Sequence, residues 1–245
     1  HMKRANILKN NLKQPVIAHR ERTKALIPPR AEETPTNLID LSSHYTAPIR
    51  GMGQIGNYIV MSDLPLGQNK FHGEEYDTRG IIKLSGIQQD RSQGSRNPYP
   101  KKAEGIIVNQ KLNSLKFLQA VSWTDPDGTP VANYSINYED GTNVVIPVIY
   151  GVHLRDWFQS ERNRNLKTPK AEIVYRGRTG GFSYGLYQQF WSNPHPAKTI
   201  KTIDVLGQNS FSNFFLVGMT GESLSAEKKH EGEKPSNENQ LSPQE

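Results

Sequence analysis

Between residues 131 and 150 apolar and polar positions alternate. Ala132, Tyr134, Ile136 and Tyr138 fall on one side of an extended chain, and Asn133, Ser135 and Asn137 on the other. Asp140-Gly141 follows, and then Val144, Ile146, Val148 and Tyr150 resume the same period. Two alternating runs flanking Asp-Gly predict a β-hairpin. Ile81–Leu84, Gly105–Val108, Leu115–Leu118, Ala171–Tyr175, Tyr184–Trp191, Thr199–Leu206 and Phe214–Met219 read as further strands. No stretch of about twelve residues between 37 and 221 keeps a helical period. Only Val152–Phe158 and Gln110–Leu115 suggest short helical turns. Leu64–Gly73 and Gln88–Lys102 read as long polar loops, the second containing a mobile Arg91–Pro98 stretch.

Many short strands separated by Gly, Pro, Asn and Asp predict an all-β sandwich or barrel. Roughly 185 residues in one domain suit a jelly-roll β-sandwich. The ends differ in composition. Residues 1–36 carry eight basic and three acidic side chains, net +5, and contain Pro28-Pro29, which favours an extended path. They read as a basic linker with a short helix near Ala5–Leu12, behind a His1-Met2 cloning scar. Residues 222–245 carry six acids and three lysines, net −3, with almost no apolar content, and read as a disordered tail.

Charge sharpens this division. The chain's net charge is +6, so with +5 and −3 at the ends the 37–221 domain holds only +4. A nucleic-acid reader concentrates basic charge on a folded face, and this pattern does not. The 245 residues include no cysteine, which excludes disulfides, thiolate metal sites and a cysteine nucleophile. No apolar run is long enough to span a bilayer.

Two segments concentrate the chemistry of a binding site. In the first, His153, Arg155, Asp156 and Trp157 follow a strong strand. An indole offers a flat apolar face to a sugar ring, and the other three offer directional bonds to hydroxyls. The structural alternative packs Trp157 and Phe158 at a sheet corner, with Arg155 and Asp156 paired locally. In the second, Trp191, Asn193 and His195 lie at a strand end that breaks into a proline turn. There Trp191 either lines a rim or packs beneath the turn.

Other candidates are weaker. Asp125 and Asp127 in Trp123–Thr129 form a fragment of a calcium loop that lacks the later bidentate acid, and the same residues make a good turn. Glu74-Glu75 are sequence neighbours, whereas a glycosidase needs carboxylates facing each other across a cleft. Asp77 and Arg79 share a strand face and read as a structural pair. The common hydrolase, metalloprotease and nucleotide-binding signatures are absent.

Several motifs occur in a characteristic order. Asn37-Leu38-Ile39-Asp40-Leu41-Ser42-Ser43-His44-Tyr45 opens the domain, followed by Asp63-Leu64-Pro65-Leu66-Gly67 and Phe71-His72-Gly73. Tyr76-Asp77-Thr78-Arg79-Gly80-Ile81-Ile82, Tyr138-Glu139-Asp140-Gly141, Arg155-Asp156-Trp157 and Trp191-Ser192-Asn193-Pro194-His195-Pro196 complete the series. Over nearly all of residues 37–221 the chain resembles an uncharacterised bacterial family of galactose-binding-like jelly-roll domains. Such domains accompany large multidomain proteins, some with kinase-like or anti-sigma-like parts and some with glycoside hydrolase modules. The resemblance implies a fragment whose missing N-terminal region includes a membrane anchor, with the basic linker just after it.

The expectation is therefore a non-catalytic, extracytoplasmic carbohydrate-binding module, not an enzyme, with no nucleic-acid partner. Trp157 or Trp191 would stack on the sugar, while Arg155, Asp156, His153, Asn193 and His195 line the site. Membrane contact would come only through a missing or adjacent segment. No cofactor is expected beyond a structural calcium at Asp125 and Asp127. The alternative is a structural or protein-interaction domain of an envelope-associated protein.

Overall fold

The alternating runs become strands. The computed structural model describes residues 17–50, 61–160 and 166–223. Among these residues the strands are β1 (Ala47–Pro48), β2 (Gly67–Phe71), β3 (Glu74–Thr78), β4 (Gly80–Lys83), β5 (Lys102–Gln110) and β6 (Leu112–Ser122). They continue with β7 (Pro130–Tyr138), β8 (Asn143–Ile149), β9 (Ala171–Thr179), β10 (Phe182–Ser192), β11 (Ile200–Gly207) and β12 (Asn213–Ser223). Helix α1 runs through residues 17–26 and α2 is Ile87–Gln93. No helix among the described residues is long and apolar enough to cross a membrane.

The strands form two antiparallel sheets, in the orders β1-β4-β12-β6-β10-β9 and β5-β11-β7-β8, plus a separate β2–β3 hairpin. The sheets pack face to face as an all-β sandwich. Phe117 of β6 and Tyr134 of β7 stack across the interface with ring centroids 4.0 Å apart, both fully buried. Burying a ring of this size contributes about 1.5–3 kcal/mol. Tyr134 also donates its hydroxyl to Gln119 Oε1 at 2.6 Å, and Gln119 Nε2 donates to Gln189 at 2.8 Å. A polar ladder thus crosses the core with these groups satisfied, as buried polar groups require.

The β2–β3 hairpin corrects the expectation of a loop over Leu64–Gly73. Its register pairs Phe71 with Glu74 across His72-Gly73. Both turn residues have positive φ, 48° and 89°, the geometry that matches strand twist in a two-residue turn. The hairpin covers the outer face of the larger sheet. Tyr76 donates to Gln188 Oε1 at 2.6 Å, and Glu74 pairs with Lys116 at 2.6 Å. Gly218 of β12 lies beneath the Tyr76 ring, where an added Cβ would come within 3.1 Å.

The N-terminal boundary also differs from the expected linker. His19 and Thr23, four residues apart on one face of α1, are buried against the sandwich. His19 Nε2 lies 3.0 Å from the Thr46 carbonyl. Arg30 donates to Asp77 at 2.7 Å and to the Leu38 carbonyl at 2.6 Å. Asn37–Ile39 then run beside Met219–Gly221: Ile39 N–H donates to Met219 O at 2.9 Å, and Gly221 N–H to Asn37 O at 2.8 Å. The helix expected at Ala5–Leu12, the scar and the tail beyond Ser223 lie outside the described residues.

The Arg91–Pro98 stretch, expected to be a mobile loop, contains the end of α2 and a 3₁₀ turn, Gly94–Arg96. Asp90 Oδ1 accepts from Ser85 Oγ at 2.6 Å and Asn97 Nδ2 at 2.8 Å, tying this segment to the body. Gln110–Leu115, read as a helical turn, is the tight junction of β5 and β6.

Candidate ligand-binding rim

Of the helical turn expected over Val152–Phe158 only the start turns, His153 N–H donating to Ile149 O at 2.9 Å, and residues 155–159 run on as an inserted segment. They enter a fork at one end of the larger sheet, where β6 and β10 diverge. Trp157 N–H donates to Val121 O at 2.8 Å and Val121 N–H to Arg155 O at 3.4 Å. On the other side Gly185 N–H donates to Trp157 O at 2.8 Å and Gln159 N–H to Ser183 O at 2.9 Å. A segment bonded on both sides replaces direct pairing between the two strands, so backbone groups inside the fork find partners.

This wedge determines the fate of the first predicted cluster. Trp157 is only 8 % exposed and packs against Phe182 and Tyr184, at centroid distances of 6.1 and 5.4 Å. Arg155 is buried and forms a bidentate pair with Asp127, both N–O distances being 2.8 Å. His153 Nδ1 accepts the Ile149 N–H at 3.0 Å. Burial lowers the pKa of His153, and the charge of Lys170 lowers it further. The stacking role expected for Trp157 and the hydroxyl-binding roles expected for Arg155 and His153 are therefore corrected to structural ones. The Trp157 ring, the Arg155 guanidinium and His153 Nδ1 are committed to the fold.

The second cluster lies elsewhere, and of its members only Asn193 is internal. Asn193 is buried, accepting from Tyr138 Oη at 2.6 Å and donating to Leu112 O at 2.7 Å. Trp191 is half-buried against the core, and the exposed His195 ring meets Tyr138 edge-on at 5.6 Å. Trp191 pairs with Leu115, seven residues along β10 from the Tyr184 that contacts Trp157. At about 3.3 Å per residue, the two tryptophans belong to sites roughly 20 Å apart. They do not form one aromatic floor.

The expected calcium ligands have separate duties. Asp127 holds Arg155, while Asp125 accepts the N–H groups of Phe211 at 3.1 Å and Ser212 at 2.9 Å. Among the described residues no group of three or more His, Asp or Glu side chains could hold a metal ion. Glu74 and Glu75 border a groove of about 700 Å³ between the β2–β3 hairpin and Pro35–Asn37. Glu74 is paired with Lys116, and Glu75 accepts from Gln68 at 3.0 Å.

Asp156 is the member of the first cluster that reaches the surface. Burial pushes its carboxyl up to about 6, against the pull of backbone N–H groups from Phe158 and Trp123. The Phe158 N–H lies 3.2 Å from Oδ1. One carboxylate therefore gathers two aromatic residues. Trp123 is 40 % exposed and Phe158 38 %, and Phe182, 37 % exposed, stands 5.2 Å from Phe158. Trp123 has φ 74°, a conformation costing a bulky residue about 1–2 kcal/mol. The fold thus carries backbone strain where it holds an indole outward, a pattern concentrated at functional positions.

Trp123, Phe158 and Phe182 thus form an exposed aromatic rim beside Asp156. Sequence reasoning passed over Trp123 because it opens a segment read only as a turn or calcium loop. Its available signal was an aromatic residue at the point where a strand gives way to Thr-Asp-Pro. The chain matches no protein-family model, no curated protein and no solved structure.

Proposed function

We propose that the protein is a non-catalytic carbohydrate-binding module of a larger extracytoplasmic bacterial protein, built on a galactose-binding-like jelly roll. Its platform is Trp123 in place of the tryptophans indicated by sequence. The observation that carries this reading is the exposed aromatic rim gathered around one half-buried carboxylate. The indole stacks on the apolar face of a sugar, Phe158 and Phe182 flank it, and Asp156 accepts hydroxyl hydrogens.

A glycan array on the full chain, followed by calorimetry on the best ligand, tests the proposal. Trp123→Ala is expected to weaken binding at least about tenfold, or ~1.4 kcal/mol. Trp123→Gly should abolish stacking yet leave stability unchanged or up to about 1 kcal/mol higher, since glycine relieves the left-handed backbone. Binding should also weaken below about pH 6, where Asp156 takes up a proton and loses its strength as an acceptor. Absence of binding across broad glycan classes, or a Trp123→Ala variant that binds like the parent, rejects the reading.

A protein partner is the second reading. It is favoured by the exposure of Phe158 and Phe182, which carry no polar atom with which to recognise hydroxyls.

A further inference from the structure

A second pocket, unrelated to the rim, lies between α1 and the Pro98–Pro100 segment, beside the residues leading into β1. Its volume is about 340 Å³. We propose that it binds a small oxyanion of phosphate or sulfate type.

The lining holds two standing cations, Arg20 and Lys24, beside two imidazoles. His19, Arg20 and Lys24 come from α1 and His44 from the turn before β1, and no carboxylate side chain contributes. The nearest acid on the helix, Glu21, makes an exposed 3.8 Å contact with Lys24. Thr23 and Tyr45 are among the lining residues, and their hydroxyls are buried with no hydrogen-bond partner among the described residues. Thr23 is almost wholly enclosed. A buried hydroxyl left unsatisfied costs free energy, and an oxyanion seated beside Thr23 would supply the acceptor it lacks.

Positive charge also stands behind the wall. The Lys83 ammonium lies 4.5 Å from the centre of the Tyr99 ring, and that ring meets His19 edge-on at 5.4 Å. Burial lowers the pKa of His19, and the charges of Arg22, Lys83 and Arg20 lower it further. A bound anion would offset that crowding of like charge. The pocket is large enough for the ion alone or for the head of a phosphomonoester.

The test is calorimetric titration of the full chain with inorganic phosphate, inorganic sulfate and glucose 6-phosphate, with sodium chloride at matched ionic strength as control. Saturable one-site binding of phosphate or sulfate beyond chloride is expected. Arg20→Ala, an exposed change, should weaken it at least tenfold. Thr23→Val, nearly isosteric, should also weaken it while leaving the melting temperature unchanged or higher, which separates lost binding from lost folding. Tighter binding of glucose 6-phosphate would identify an ester-borne phosphate as the preferred form, and equal binding the free ion. Titrations that superimpose on chloride, or Arg20→Ala and Thr23→Val variants that bind like the parent, would overturn the proposal.

Discussion

Lys83→Met is expected to stabilise the protein at pH 6 by about 1–4 kcal/mol, the range found when buried charges give way to apolar side chains. Lys83 is 1 % exposed on β4, with its ammonium over the Tyr99 ring and 3.4 Å from Gln89 Oε1. Burial lowers its pKa from 10.5 to about 7. The unfolded chain therefore holds this proton more tightly than the folded one. Between about pH 7 and 10.5 the unfolded state binds more protons, and stability should climb with pH. Below about 7 both states are protonated and the full burial penalty applies, with a ceiling of about 5 kcal/mol for a shift of this size. Urea denaturation of parent and variant at pH 6, 8 and 10 isolates the effect, because the other titrating groups are common to both. The difference should be largest at pH 6 and shrink toward pH 10. A constant difference, or a variant less stable at pH 6, contradicts the assignment.

Asp77→Ala should cost about 3–5 kcal/mol, the penalty for stripping one partner from a buried ion pair. Asp77 and Arg79 are both buried and 2.8 Å apart, and Asp77 also receives Arg30 at 2.7 Å. Arg79 goes on to Asp40 at 3.1 Å, Ser42 Oγ at 2.6 Å and the Pro28 carbonyl at 3.2 Å. The carboxylate therefore anchors both the chain leading out of α1 and the turn before β1. Removing it leaves the Arg79 guanidinium enclosed without its buried carboxylate, keeping Asp40, Ser42 and the Pro28 carbonyl. Asp77→Ala combined with Arg79→Met should recover part of the loss, since no buried charge is then stranded. Guanidinium denaturation midpoints give the cycle. A single-variant loss below about 1 kcal/mol would show that Asp40 suffices as counter-ion.

The Asp77–Arg79 pair was legible because two residues of spacing place both side chains on one strand face. The Asp140-Gly141 hairpin and the nine apolar strands were legible for the same reason: a sheet with one buried face records its period in the sequence. The β2–β3 hairpin left no such record. Its inward anchors are Phe71 and Tyr76, and most of its other residues are polar because the far side meets solvent. Helix α1 was obscured because its buried face is a histidine and a threonine, His19 and Thr23, which make no apolar stripe. The wedge at 155–159 was hidden for a different reason. Its burial depends on a fork between β6 and β10, strands separated by some sixty residues from one partner to the other, and local pattern cannot register that divergence. Trp157 was thus read from its chemistry as a platform, although the fork makes it a filler. Trp123, one residue beyond the end of β6, is turned outward by a backbone angle that sequence does not specify for a tryptophan.

The clasp between Asn37–Ile39 and Met219–Gly221 ties the chain entering the sandwich to the end of β12. Along β12, Asn213 lies opposite Ser122, the neighbour of Trp123, whereas Gly221 lies opposite Leu115. Eight residues of strand, about 26 Å, separate the two levels. The sandwich therefore presents its aromatic rim at one pole and gathers residues 37 and 221 at the other. β12 therefore ends at the pole away from the rim, as a bulb faces outward from its socket, while the chain ahead of residue 37 runs back to α1, where His19 meets Tyr99.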